Sequence, residues 1–247
     1  MTILGALLFI IQAGFAIHVI RSGREIYWIY IIMFIPALGC ALYFFTQVLP
    51  DSRNNYTVRK AGNSLLKAVD PQRELRKRKD ELDIADTVEN RLRLADECIA
   101  AGFYDDAIPL LKKSLNTTHE NDPYILLKLA EAQFGNTDYQ ETINTLELLI
   151  RENPDFQSPD GHLLYARSLA STGEISAAFK EYEVLATSYP GEEARVRYAQ
   201  LLQQENQPVK AEELFNDVLT RAHRAPKYYQ KKEKQWISQA KQGLKQT

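Results

Sequence analysis

Residues 123–154 read PYILLKLAEAQFGNTDYQETINTLELLIRENP. Two apolar patterns of helical period lie in this stretch, separated by the breaker Asn136-Thr137-Asp138-Tyr139 and bounded by Pro123 and Pro154. Ala130 in the first pattern and Thr142 in the second stand 12 positions apart, and Leu146 follows four positions later. Small residues at this spacing let two antiparallel helices approach closely, and the large residue fills the space beside them. The stretch therefore predicts one helix pair.

The same arrangement recurs on either side. Ala95, Ala130, Ala166 and Ala199 are separated by 35, 36 and 33 residues, and Ala107, Thr142, Ala178 and Ala211 each follow by 12. Breakers stand between the two members of each pair: Gly102-Phe103-Tyr104, Asn136 to Tyr139, Gly173-Glu174-Ile175 and Asn206-Gln207-Pro208. Leu111, Leu146, Tyr182 and Phe215 supply the large residue, and Pro190 closes the third unit as Pro154 closes the second. A fixed period near 35 residues is the mark of a solenoid, in which each pair buries its apolar face on the next. Thr142 stands where the other units have alanine, and the fourth unit lacks a turn glycine.

This pattern resembles the tetratricopeptide repeat over residues 88–222. The resemblance implies an all-α solenoid of about four helix pairs with the first helix of each pair lining a concave groove. On that reading the groove holds Glu89, Leu92, Asp96, Tyr124, Leu127, Glu131, Phe134, Asp160, Leu163, Arg167, Glu193 and Val196. Such a lining is acidic with apolar patches and favours a basic or amphipathic peptide. Leu92 and Asp96 occupy the positions where some members of the family carry the lysine and asparagine that hold a terminal carboxylate.

The first 50 residues differ in kind. Between Ile3 and Ile20 the strongly polar side chains are Gln12 and His18 alone, and residues 26–49 carry no charge. As helices these runs would be about 27 and 36 Å long, enough to cross a bilayer, so a transmembrane hairpin is expected. A signal peptide is disfavoured because no basic stretch leads it and no small-x-small cleavage pattern precedes Arg21. Tyr27, Trp28 and Tyr30 suit an aromatic belt, Pro36 predicts a kink, and Gly39 leaves room for close helix contact. Gln12 and His18 would be costly against lipid, which leaves a polar contact inside an oligomer or, for His18, a place at the interface beside Arg21. Trp28, Pro36, Gly39 and Tyr43 together resemble the N-terminal membrane segment of bacterial cardiolipin synthases of the phospholipase D superfamily. The catalytic motif of that superfamily, His-x-Lys, is missing: the four histidines are followed two positions on by Ile20, Asn121, Leu164 and Ala225.

Charge divides the rest of the chain. Residues 51–80 hold nine basic against four acidic side chains, residues 81–223 hold 12 against 26, and residues 224–247 hold seven against one. The organisation expected is thus an anchor over 1–50, a basic juxtamembrane linker over 51–86, the repeats over 87–223 and a basic capping helix over 224–247. The juxtamembrane bases suit either contact with anionic lipid headgroups or a solvated helical linker. Without interleaved aromatic residues they do not point to nucleic acid. In the last segment Tyr228, Tyr229, Trp236, Ile237, Ala240 and Leu244 fall on a helical spacing that could close the open end of the fourth pair. The basic residues after the second apolar run place the repeats in the bacterial cytoplasm, with the hairpin multi-pass in the inner membrane.

Nothing in the sequence points to catalysis. There is no glycine-rich phosphate loop, no Gly-x-Ser-x-Gly and no His-Glu-x-x-His, and the two cysteines, Cys40 and Cys98, lie far apart in helical patterns. No cofactor or metal is expected. Paired acids such as Asp105-Asp106 stand where they complement helix dipoles. The reading that follows is a non-enzymatic, membrane-anchored adaptor with a protein or peptide partner and membrane lipid beneath it. A homo-oligomer is compatible with this reading. The alternative is a regulatory or structural subunit of a membrane-lipid or envelope assembly that acts through its anchor.

Overall fold

The computed structural model describes the backbone of residues 3–22, 25–48, 70, 72–115 and 119–246, and the side chains of all of these except residues 3–8, 37, 45 and 48. Most of the basic juxtamembrane segment, residues 51–69, lies outside the described residues. The chain forms two compact units, Met1–Arg73 and Glu74–Thr247.

In the first unit, α1 spans Ile3–Arg21, α2 Tyr27–Phe34 and α3 Pro36–Tyr43, and Phe44–Val48 ends it in a single π turn. The long second helix expected over residues 26–49 is therefore two short ones. Pro36 has no N–H to give to the preceding turn, and Ile35 leaves helical geometry at φ −128° and ψ 75°. Among the described residues, no helix is long and apolar enough to cross a membrane. Val19, Trp28, Ile32, Cys40 and Tyr43 form a small core, with the Trp28 and Tyr43 rings 5.4 Å apart. Gly39 belongs there for a steric reason, since a Cβ would run into the Ile31 carbonyl. Two polar residues of the unit turn inward. Gln12 Nε2 donates to the Ile32 carbonyl at 2.7 Å, and His18 Nδ1 lies 2.9 Å from the Tyr43 hydroxyl. Neither sequence expectation for His18 describes this, because its partner is the neighbouring helix of the same chain. The outer face is apolar: Phe9, Ile10, Ile17, Ile20, Met33, Phe34 and Leu38 are all exposed.

Helix α4, Arg73–Ile84, begins at the boundary and belongs to the second unit from Glu74 onward. Leu75 and Leu82 pack on the first helix pair, and the Asn90 amide donates to the Glu81 and Ala85 carbonyls, so part of the expected linker is a cap. The four pairs are α5 (Val88–Ala101) with α6 (Tyr104–Ser114), α7 (Pro123–Gly135) with α8 (Tyr139–Glu152), α9 (Pro159–Thr172) with α10 (Ile175–Ser188), and α11 (Glu193–Gln204) with α12 (Pro208–Arg224).

Helix starts follow from local chemistry. Thr87 and Ser158 each accept a backbone N–H of the first turn, the Asp122 carboxylate accepts two, and Pro123, Pro159 and Pro208 stand where a missing N–H costs nothing. Left-handed residues end the first helix of each pair. Gly102 and Gly173 take φ near 80°, and Asn206, with φ 55°, supplies the same turn where the fourth pair has no glycine. The repeating small positions are sealed: Ala95, Ala107, Ala130, Ala166, Ala178, Ala199 and Ala211 have no exposed surface. Thr142 is equally buried and is tolerated because its hydroxyl donates to the Asp138 carbonyl at 3.0 Å.

The expected single capping helix is broken at Glu233 into α13 (Lys227–Lys232) and α14 (Lys234–Gly243). Ala240 is buried, and Trp236 and Leu244 pack against the core of the third and fourth pairs, whereas Tyr228 stays exposed. A buried polar cluster ties this cap down. The Tyr229 hydroxyl donates to Glu192 Oε1 at 2.7 Å, Arg195 and Arg221 flank the same carboxylate, and Glu233 accepts the Glu192 N–H.

Candidate functional site

The first helices α5, α7, α9 and α11 carry the expected groove residues, and contacts between successive helices join them into one surface. Lys128 on α7 forms an ion pair with Asp96 on α5. Arg167 on α9 lies over the Phe134 ring of α7, 4.3 Å from its centre. The Tyr189 hydroxyl, just beyond α10, donates to Asp160 at 2.9 Å. Arg197 on α11 bonds Glu193 at 2.7 Å and lies 4.9 Å from the centre of the Trp236 ring, which carries the surface onto the cap.

These contacts change the charge expected of the lining. Glu89 is paired with Arg93, Asp96 with Lys128 and Glu193 with Arg197, while Asp160 accepts the Tyr189 hydroxyl. Glu131 is the exception: among the described residues no cation or hydrogen-bond donor holds its carboxylate. Its crowded surroundings push its pKa up, Lys128 pulls it down, and Asp160 and Asp96 add to the rise. Leu163 and Val196 are fully buried and belong to the core rather than to the lining. Tyr124 is exposed with its ring edge-on to Phe156 at 5.3 Å, and Leu127 and Phe134 are partly buried between adjacent helices. Leu92 packs against the core of the first pair.

Sequence reasoning missed the basic half of this surface. Arg93, Lys128 and Arg197 all stand two positions before the small alanine of their helix, a register that was legible beside Ala95, Ala130 and Ala199. A second feature missed is a cleft of about 730 Å³ between α8, α9 and α10, lined by Leu146, Ile150, Phe156, His162, Tyr165 and Glu181. His162 Nε2 and Glu181 lie 2.7 Å apart there, and the Tyr165 hydroxyl donates to Glu147 at 3.1 Å. No group of residues able to hold a metal ion occurs among the described residues.

Comparison with known proteins agrees with this architecture. A tetratricopeptide-repeat family model matches residues 124–155, which covers the α7–α8 pair. The chain is similar in fold to the crystal structure of MamA, at 22% identity and a TM-score of 0.54, over 68% of this chain and 95% of that one. It is also similar to MamA from Desulfovibrio magneticus, at 14% identity and a TM-score of 0.56, over 68% of this chain and 95% of that one. A thermophilic tetratricopeptide-repeat protein from Thermus thermophilus aligns at 18% identity and a TM-score of 0.53, over 75% of this chain and 96% of that one. No curated protein matches the sequence. The second unit is thus an all-helical, tetratricopeptide-like solenoid, a fold whose general use is protein–protein interaction. The resemblance of the N-terminal segment to cardiolipin synthases finds no support in these comparisons.

Proposed function

We propose that this protein is a non-enzymatic adaptor held at a membrane by its N-terminal unit, with the first-helix surface of the repeats receiving an amphipathic segment of a protein partner. The observation that carries the binding half is the continuous lining from Asp96 to Trp236, built by side chains that reach from one helix pair to the next. Preference for a wholly basic peptide is not favoured by this surface, because most of its acids are already neutralised within the chain. Glu131 remains as one position for a basic side chain, set among Leu127 and Phe134.

Membrane attachment rests on the inverted arrangement of the first unit. Gln12 and His18 satisfy their polar groups between helices while large apolar side chains face outward, the distribution favoured where the surroundings are lipid. Basic residues beyond the second apolar run favour a cytoplasmic position for the repeats at the bacterial inner membrane.

The experiment is affinity capture from detergent-solubilised membranes with the full chain and with a Leu127→Arg variant, which places a bulky charge in the groove. Loss of the captured partner supports the groove, and undiminished capture removes it from the mechanism. Replacing residues 1–50 by an unrelated hairpin tests the alternative role of the anchor: retained function assigns recognition to the repeats, and lost function assigns it to the anchor.

A further inference from the structure

The C-terminal cap carries an unbalanced charge. Residues 224–247 hold seven Lys and Arg side chains, all exposed, while their one acid, Glu233, is buried. The Glu233 carboxylate accepts the Glu192 N–H beneath the cap and lies 3.9 Å from Lys232. Among the described residues, the other six bases have no ion-pair partner. A solenoid end that needed only solubility could mix both signs, as residues 81–223 do.

Part of this charge surrounds a recess. A hollow of about 470 Å³ between α12, α13 and α14 has Leu219, Ala222 and Ile237 in its wall, and His223, Lys234 and Lys241 bring basic groups to it. No carboxylate lines it. The volume falls within the roughly 300–1,000 Å³ of small-ligand sites. Helical spacing puts Lys234 and Lys241 on one face of α14, while Trp236, Ala240 and Leu244, on the other, pack into the core. Helix dipoles account for His223 and Lys241, which stand in last turns, but they oppose Lys234 in the first turn of α14. Lys234 therefore sits against its own helix dipole and beside other bases, with no acid among the described residues to compensate. An anion in the recess supplies what is missing.

We propose that this recess binds the phosphate of an anionic phospholipid headgroup through Lys234, Lys241 and His223, with the remaining bases of the cap spread on the lipid surface around it. Phosphate is the matching chemistry because its oxygens accept from several donors at once and its charge balances ammonium groups. Two observations favour a lipid over a free phosphate ion. The apolar wall suits the glycerol and first methylenes of a lipid, and Tyr228, 75% exposed on α13, has the amphipathic ring favoured at a membrane interface. The bases are also too many for one ion: they extend from Arg224 to Lys245, and each base near an anionic surface strengthens association about fivefold. A second copy of the chain is a poorer fit, because the acids of its first-helix surface are largely paired within the chain. The cap thus gives the repeats a lipid contact of their own that depends on membrane composition. This assignment rests on the membrane attachment proposed above.

The test places the full chain in nanodiscs of phosphatidylcholine, alone or mixed with phosphatidylglycerol, and follows acetylation of individual lysines by mass spectrometry. Lys210, exposed in the first turn of α12 and outside the recess, is the internal reference. Phosphatidylglycerol should lower the reactivity of Lys234 and Lys241 about fivefold relative to Lys210, and added salt should restore it. Lys241→Gln should release Lys234 as well, whereas Lys180→Gln, on α10, should leave both protected. Both substitutions fall at exposed positions, so the fold is kept. Equal reactivity in the two lipids, with the chain inserted in both, overturns this assignment alone. So does protection confined to Lys227, Lys231 and Lys245, since the cap then meets lipid without the recess. Two further results overturn the lipid as occupant. Inorganic phosphate that protects as well in phosphatidylcholine discs assigns the recess to a free anion, and protection seen only when two chains share a disc assigns it to a second copy. Failure of the chain to enter discs of either composition overturns the membrane reading and this assignment with it.

Discussion

The two units of this chain solve opposite problems with the same element. In the repeats, apolar side chains such as Leu111, Phe215 and Val218 are fully buried and, apart from the Glu192–Arg195 cluster under the cap, the charges face outward. In the N-terminal unit, Phe34 is 81% exposed while Gln12 and His18 find partners between the helices. A helix surrounded by water gains by hiding its apolar stripe, and a helix surrounded by lipid gains by hiding its polar atoms. On the membrane-anchored reading proposed above, the difference teaches that burial has to be judged against the solvent each unit faces.

The sharpest contrast comes from the same truncation made in both places. Phe215→Ala empties a sealed site in the fourth pair and should cost roughly 3–5 kcal/mol, read as a lowered midpoint of urea unfolding of the repeats. Phe34→Ala should leave that midpoint unchanged and reduce the fraction of protein that stays with membranes after alkaline washing. Equal sensitivity of urea unfolding to both changes would break the comparison.

A charge placed on each outer face should give the next largest difference. Leu38→Arg puts a guanidinium on the outside of the first unit, where transfer into lipid costs roughly 2.5–3.5 kcal/mol, and should shift the protein from the membrane to the soluble fraction. Val209→Arg, on an equally exposed site of the repeats, should alter their stability by less than about 0.5 kcal/mol. A Leu38→Arg protein that partitions like the parent would show that this face does not meet lipid.

How far these units were legible follows from what a local pattern can encode. Helix pairs repeat their constraint every turn of the solenoid, so Ala95, Ala130, Ala166 and Ala199 announced the fold without reference to anything distant. The break at Pro36 was visible for the same local reason, although the kink proved to be an interruption between two short helices. Groove chemistry was less legible. Whether Asp96 offers a free negative charge depends on Lys128, 32 residues away. Asn206 shows the middle case. The missing glycine was read as a departure, but asparagine tolerates the left-handed turn and the pair closes normally.

Removing the inward polar contact should have a smaller effect. Tyr43→Phe keeps the ring that packs against Trp28 and removes the hydroxyl beside His18, leaving one nitrogen without its partner. Interhelical hydrogen bonds of this kind in membranes are worth about 0.6 kcal/mol. Thermal unfolding of the isolated hairpin in detergent should shift slightly, and His18→Ala in the Tyr43→Phe background should add little further. A large additional loss would mean that His18 serves a second contact.

The smallest effect belongs to the surface of the repeats, where charges are cheap to leave in water. Asp86, between α4 and α5, accepts from Arg91 Nε at 2.5 Å and from Lys113 Nζ of α6 at 2.6 Å. The hydrogen bonds from Arg91 and Lys113, followed by their charges, hold its pKa down to about 2. A carboxyl with a depressed native pKa takes up its proton more readily when unfolded, so its contribution is fully present above the ordinary carboxylate range and fades as pH falls toward 2. The melting temperature of Asp86→Asn should therefore lie below that of the parent at pH 6, and the gap should narrow as the pH falls toward 2. Because the carboxylate is open to solvent, added salt at pH 6 should narrow the gap as well. A gap that stays constant with pH would assign the effect to the shape of the side chain, and the contrast between the units would then owe nothing to surface charge at this corner of the solenoid.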